Sequence, residues 1–269
     1  MPRIARQGGV EIHWEARGEG PVVVVVPHWS GVPEVFDPLI GALGDDLRVA
    51  RYDARGTGES TRTGPHDMDT GAGDLETVLE AVGGPAVLVG IADAPSFAAR
   101  AGARRPDLVA GLVGIAGAPV SREMFLGTDS MVGSDAVVDA FLDMIETDYR
   151  GAIRSLMTAA NPQMSEDELR DRVQQQVDYC PREAAIGRLR AWIAADPTEA
   201  GLELGERLWL LYADDVAGPW FPKPREYVRR VSEVLPQARL HHIEEGIVSR
   251  PDLTAELVRT VAAPLRAET

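Results

Sequence analysis

"LVGIADAPSFAARAGARRPDLVAGLVGIAG", Leu88 to Gly117, is the stretch whose reading decides the fold. Leu88 to Ile91 are apolar with no polar alternation, which predicts a strand covered on both faces of a sheet. Ser96 to Arg104 read as a helix behind that strand, and "LVGIAG" as a further strand. Ala92 falls on the turn between the first strand and the helix. Small residues at 90, 92 and 94 permit that turn to be sharp.

The same alternation extends in both directions. "VEIHWEARGEG" alternates apolar and polar residues before a Gly-rich turn and predicts an early antiparallel strand. "PVVVVVPHWSG", "LRVARYD" and "AVLVGIA" predict central parallel strands, separated by the helical patterns "VFDPLIGALGDD" and "AGDLETVLEAVGG". From about Ser121 to Thr198 the patterns are helical throughout, including "SEDELRDRVQQQVDY" with Ser165 three residues before Glu168. Strand and helix then alternate again through "RLWLLYADD", "KPREYVRRVSEVL", "ARLHHIEEG" and "PDLTAELVRTVAAPL". The expected organisation is an α/β core formed by 1–120 and 199–269, with a helical cap inserted at 121–198.

Composition excludes several classes of function. A chain of 269 residues buries a sizeable core without disulfides, and the single cysteine, Cys180, can form neither a disulfide framework nor a zinc site alone. The formal charge of −15 and a single lysine, Lys223, oppose a nucleic-acid partner, because phosphate contacts need clustered cations. The longest apolar run, Val22 to Val26, is far too short to span a bilayer, and the first twenty residues have no apolar core of signal-peptide length. The expectation is a cytoplasmic protein with a small-molecule partner, no membrane association, no metal and no cofactor. The sequence carries no signal for an oligomeric state.

Several segments together carry a resemblance to the α/β-hydrolase fold. "VVVVVPHWSGVPEVFDPLIGAL" resembles that family's strand and oxyanion loop. "VARYDARGTGES" is similar to its D-x-R-G-x-G-x-S turn, and "AARAGARRPDLVAGLVGIAG" to the helix after its nucleophile elbow and the next strand. The resemblance covers nearly the whole chain. It implies a mostly parallel eight-stranded sheet flanked by helices, with the cap inserted after the sixth strand.

The residues that carry chemistry in that family are replaced here. Its nucleophile sits in G-x-S-x-G, and the matching register is Gly90, Ile91, Ala92, Asp93, Ala94, so a methyl group stands where a hydroxyl would attack. Its histidine follows the last strand after a glycine, and Ile247 follows Gly246 in "HHIEEGIVSRPDL". The acid position matches Asp215, with Asp214 as the alternative, but neither has a histidine to orient. His241 and His242 lie inside the last strand, where side chains alternate, and are expected to be surface or satisfied histidines.

What remains for chemistry is His28 and Asp93. The family's His-Gly pair is replaced by Pro27 and His28, which places an imidazole of reference pKa near 6.5 at the pocket. Asp93 either borders the pocket, with its pKa raised by burial, or faces solvent at a helix N-terminus. Trp29, Ala92, Ile247 and Trp220 are expected to line the pocket, with His66 and His241 as bystanders. Removing the serine and histidine leaves a drier, more apolar cavity. Asp53 and Arg55 are read as turn-stabilising, and Cys180 as an inert thiol. The leading expectation is an enzyme that moves protons in a cyclisation, elimination or isomerisation of a small apolar metabolite. The alternatives are a serine hydrolase whose nucleophile is replaced by Ala92, and a non-catalytic binding protein.

Overall fold

The computed structural model describes residues 3–6, 9–213, 223–243 and 250–267. Eight strands form one sheet in the order β1-β2-β4-β3-β5-β6-β7-β8. Their bounds are β1 Arg3–Arg6, β2 Val10–Arg17, β3 Val22–Val26, β4 Arg48–Tyr52, β5 Ala86–Ile91, β6 Val109–Ile115, β7 Leu208–Ala213 and β8 Arg239–Ile243. β1 and β2 are antiparallel, and β4, β3, β5, β6, β7 and β8 pair in parallel. The mostly parallel eight-stranded sheet expected from the sequence is present. The short β1 adds an edge strand that the sequence pattern did not single out.

The unbroken valines of β3 show why the central strands lack alternation. Val22, Val24 and Val26 belong to the core on one face of the sheet, and Val23 and Val25 to the core on the other. Residues in strands point alternately to the two faces, so a strand covered on both sides needs apolar residues at every position. The first face is covered by α2 (Met68–Val82) and α3 (Ala94–Arg104), and the second by α1 (Asp37–Leu43) and α10 (Pro251–Ala262). α9 (Pro224–Val234) links β7 to β8. No helix among the described residues is long and apolar enough to cross a membrane.

Between β6 and β7 the chain forms α4 (Asp135–Thr147), α5 (Tyr149–Ala160), α6 (Glu166–Tyr179), α7 (Arg182–Ala194) and α8 (Thr198–Leu204). Ser165 caps α6 by accepting from Glu168 N at 3.3 Å, as its spacing predicts. Asp148 ends α4 and caps α5 through Gly151 N, so "SDAVVDAFLDMIETDY" breaks into a new helix at its last residue. α6 is tied to the loops of the sheet by polar contacts. Gln176 Nε2 donates to Ser30 Oγ at 2.7 Å, Tyr179 Oη to Asp53 Oδ1 at 2.9 Å, and Gly58 N to the Tyr179 carbonyl at 2.9 Å.

The turn Asp53 to Ser60 is held from within and from below. Asp53 Oδ2 accepts from Glu59 N at 2.8 Å and lies 3.1 Å from His13 Nδ1, while Ser60 Oγ donates to the Asp53 carbonyl at 2.6 Å. Arg55 makes a two-pronged bond to Asp74 of α2, with Nε–Oδ2 at 3.0 Å and Nη2–Oδ1 at 2.8 Å. Asp74 is 2 % exposed, so its removal strands a guanidinium that is itself nearly buried. Asp74→Ala is expected to lower unfolding stability by about 3–5 kcal/mol. Asp69→Ala, which breaks exposed ion pairs on the same helix, should cost under about 1 kcal/mol. Urea denaturation of the two variants measures the difference.

Candidate functional site

The turn after β5 is the centre of the site. Ala92 has φ +57°, the left-handed region that a residue with a Cβ enters at a cost of about 1–2 kcal/mol. Two contacts hold it there. Ala92 N donates to the Ile115 carbonyl at 3.0 Å, and Gly117 packs against the Ala92 backbone so closely that a Cβ at 117 would lie 1.9 Å from the Ala92 oxygen. The strained elbow is therefore built in full, with a methyl group at its tip.

Asp93, the next residue, is 2 % exposed. The alternative of a solvent-facing acid is thereby overturned: the side chain turns inward and makes no capping bond to α3. Oδ1 accepts from the backbone N–H of Trp29 at 3.0 Å, while Oδ2 is buried with no hydrogen-bond partner among the described residues. In a hydrolase elbow, an N–H from the loop after β3 and the N–H of the residue following the nucleophile together receive the oxyanion. Here Trp29 N–H donates to the Asp93 carboxylate, and Asp93's own N–H also favours the ionised form. Burial outweighs these donors and the attraction of Arg188, and pushes the Asp93 pKa up to about 6.

His28 departs from expectation. Its ring lies over Gly31, where a Cβ would sit 1.6 Å from Nε2, so the loop accommodates the imidazole only because residue 31 has no side chain. Desolvation, then the charge of Arg188, lowers its pKa to about 4. The expected exchange of protons at neutral pH does not hold, because the reference value assumed a solvated ring and this one is neutral well below pH 7. Trp29 is 7 % exposed and packs edge-on against Phe141 of α4, with ring centroids 6.2 Å apart. Cys180 is buried with its pKa raised to about 11, a protonated thiol. His241 and His242 are exposed on β8, against the rings of Trp209 and Tyr212. Asp214, Asp215, Trp220 and Ile247 lie outside the described residues.

The sequence reading missed Arg188. On α7 it shares a buried stripe with Ala184, Ala185, Leu189 and Trp192, and a cation inside an apolar helical stripe was the available signal. Arg188 is 6 % exposed; Nη2 donates to the Pro27 carbonyl at 3.0 Å and the guanidinium carbon lies 5.7 Å from the Phe97 ring centroid. It lines a cavity of about 20 Å³ with Tyr52, Arg55, His66, Thr70 and Phe97. His66 therefore lies in the same cavity as Arg188. Its pKa is lowered by burial and by Arg188 and Arg55. Among the described residues no cluster of His, Cys, Asp or Glu could hold a metal ion.

A parallel sheet flanked by helices, with a strand–turn–helix elbow facing a loop N–H, defines the class of hydrolase-fold proteins. The chain belongs to the alpha/beta hydrolase family, which it matches over residues 22–257. It is 32% identical over 144 residues to a pimeloyl-[acyl-carrier protein] methyl ester esterase of Methylococcus capsulatus, covering 53% of this chain and 54% of that protein. It is 26% identical over 198 residues to a 2-(acetamidomethylene)succinate hydrolase of Mesorhizobium japonicum, covering 72% and 68%. The chain thus spans about half the length of the first of these curated relatives. The structure of a bromoperoxidase from Bacillus anthracis is similar in fold, with a TM-score of 0.76, 19% identity and coverage of 98% and 97%.

The raised pKa of Asp93 has a consequence for stability. The folded chain holds this proton more tightly than the unfolded chain, whose aspartate titrates near 3.8, so Asp93 favours folding below about pH 4 and that contribution is lost as pH rises through about 6. Asp93→Asn keeps an acceptor for Trp29 N–H without the charge. It is expected to be more stable than the native chain by about 2–3 kcal/mol at pH 8 and to match it at pH 4, as read by denaturation at both pH values.

Proposed function

We propose that this protein is a hydrolase-fold enzyme that transfers protons within a small metabolite, promoting isomerisation, elimination or cyclisation, with Asp93 as the acid–base group. The observation that carries the reading is the Asp93 carboxylate: one oxygen is held by Trp29 N–H, the other is unpartnered, and burial brings its pKa near neutrality. A base works best when its pKa lies close to the working pH. At pH 7 the ionised Oδ2 takes a proton from substrate, and the resulting carboxylic acid returns it at another position, so no covalent intermediate is needed. Trp29 and Ala92 line the site in this reading, with Trp220 and Ile247 assigned there by family resemblance alone. His28 offers a neutral imidazole for hydrogen bonding, and Asp215 is an acid without its histidine. The segment 121–198 serves as a cap over a core of 1–120 and 199–269.

The names of the relatives favour a second reading, a serine hydrolase of esterase type with Ala92 in the nucleophile position. The two are separated by one pair of variants. On the proton-transfer reading Ala92→Ser gives no stoichiometric burst with activated esters, because no histidine activates the hydroxyl and Asp93 occupies the Trp29 N–H. Turnover of a carbonyl-compound panel, followed by deuterium uptake from D2O, should rise through about pH 6 and fall by at least about 100-fold in Asp93→Asn. An ester burst from Ala92→Ser, or deuterium uptake that survives Asp93→Asn, would overturn it.

A further inference from the structure

We propose that Arg188 is an anion anchor and that the ligand of this site carries a carboxylate, gripped by the Arg188 guanidinium. The inference deepens the proton-transfer reading, on which it rests for treating this cavity as part of the substrate site, by naming the class of substrate.

Arginine stays protonated in proteins, so Arg188 is a permanent cation, and a buried cation is costly unless it is paired. The native partners of Arg188 are one backbone carbonyl and one ring face. Neither carries a charge, and among the described residues Arg188 makes no ion pair. Of the acids near it, Asp74 holds both prongs of Arg55, and Asp93 attracts Arg188 through space without forming an ion pair with it. Four of the five guanidinium N–H groups therefore make no hydrogen bond with the described residues.

The surroundings suit a carboxylate. Arg55, Tyr52 and Thr70 line the same cavity, as does Asp74, whose charge is met by Arg55, and His66 Nδ1 is buried there with no partner among the described residues. Its volume of about 20 Å³ is little more than one water needs, which excludes a whole metabolite and leaves room at most for part of a small polar group. The planar fork of arginine matches the two oxygens of a carboxylate. A chain of net charge −15 repels anions at a distance, which makes a local buried cation the means of selecting one. The attraction between Arg188 and Asp93 places the anchor within electrostatic reach of the proposed acid–base group.

Equilibrium binding tests this without turnover. Butyrate, succinate, butyramide and inorganic phosphate are titrated into the whole protein by ligand-observed NMR. The expected result is saturable binding of butyrate and succinate, at least ten-fold weaker binding of butyramide and phosphate, and a butyrate-dependent movement of the Arg188 Nε–H resonance in the unaltered protein. Arg188→Lys, which keeps the charge and loses the fork, should weaken butyrate at least ten-fold, and Arg188→Met should abolish its binding. Equal binding of butyramide, tighter binding of phosphate, or an Arg188 resonance unmoved by butyrate would overturn the proposal, the last without needing any variant to fold. An Asp93 that proves chemically idle leaves these binding results standing, so failure of the two readings is distinguishable.

Discussion

The hydrogen bond from Trp29 N–H to Asp93 Oδ1 is the contact around which the centre of this molecule is arranged. It joins the loop after β3 to the turn after β5, two segments that meet only because the strands are parallel neighbours with Val26 opposite Gly90. The turn supplies the carboxylate by holding Ala92 in a left-handed conformation, which the close passage of Gly117 permits. The loop supplies the donor by folding His28 back onto Gly31. Burial then sets the electrostatics, because a carboxylate this far from water keeps its proton to a higher pH than a solvated one.

That arrangement gives the hydrolase scaffold a different electrostatic problem to solve. In a serine hydrolase the oxyanion donors wait for charge that develops during reaction. Here at least one of the two matching N–H groups already faces an acid belonging to the chain. On the proposed reading the fold has kept its strained elbow and exchanged covalent catalysis for a buried base, with Arg188 brought over the site by α7 as the opposing charge. The charges of Asp93 and Arg188 attract without touching, which leaves one Asp93 oxygen and most of the guanidinium for a ligand.

The parts of the fold that could be read from the sequence are those where burial dictates every residue. The valines of β3 and the apolar runs of β5 and β6 fit only strands covered on two faces, and the D-x-R-G-x-G-x-S turn carries its own hydrogen bonds in Asp53 and Ser60. β1, with four residues at the sheet edge, has no comparable pattern. Position 92 was legible because a turn between strand and helix is locally encoded. The state of His28 was not, since its pKa depends on Arg188, some 160 residues away in sequence, and on the depth of the loop. Arg188 was missed for the same reason: only the packing of α7 over the sheet brings it to one cavity with Tyr52, Arg55 and His66. Asp215, Trp220 and Ile247 rest on family resemblance alone.

The titration of the Trp29 backbone amide by NMR tests the central claim most directly. If its N–H donates to a buried Asp93 carboxylate, its proton resonance moves to lower field as that carboxylate ionises, with a midpoint at about pH 6, and the movement disappears in Asp93→Asn. A Trp29 amide that is silent between pH 4 and 8, or that follows an aspartate titrating at its ordinary value near 3.8, would contradict the account.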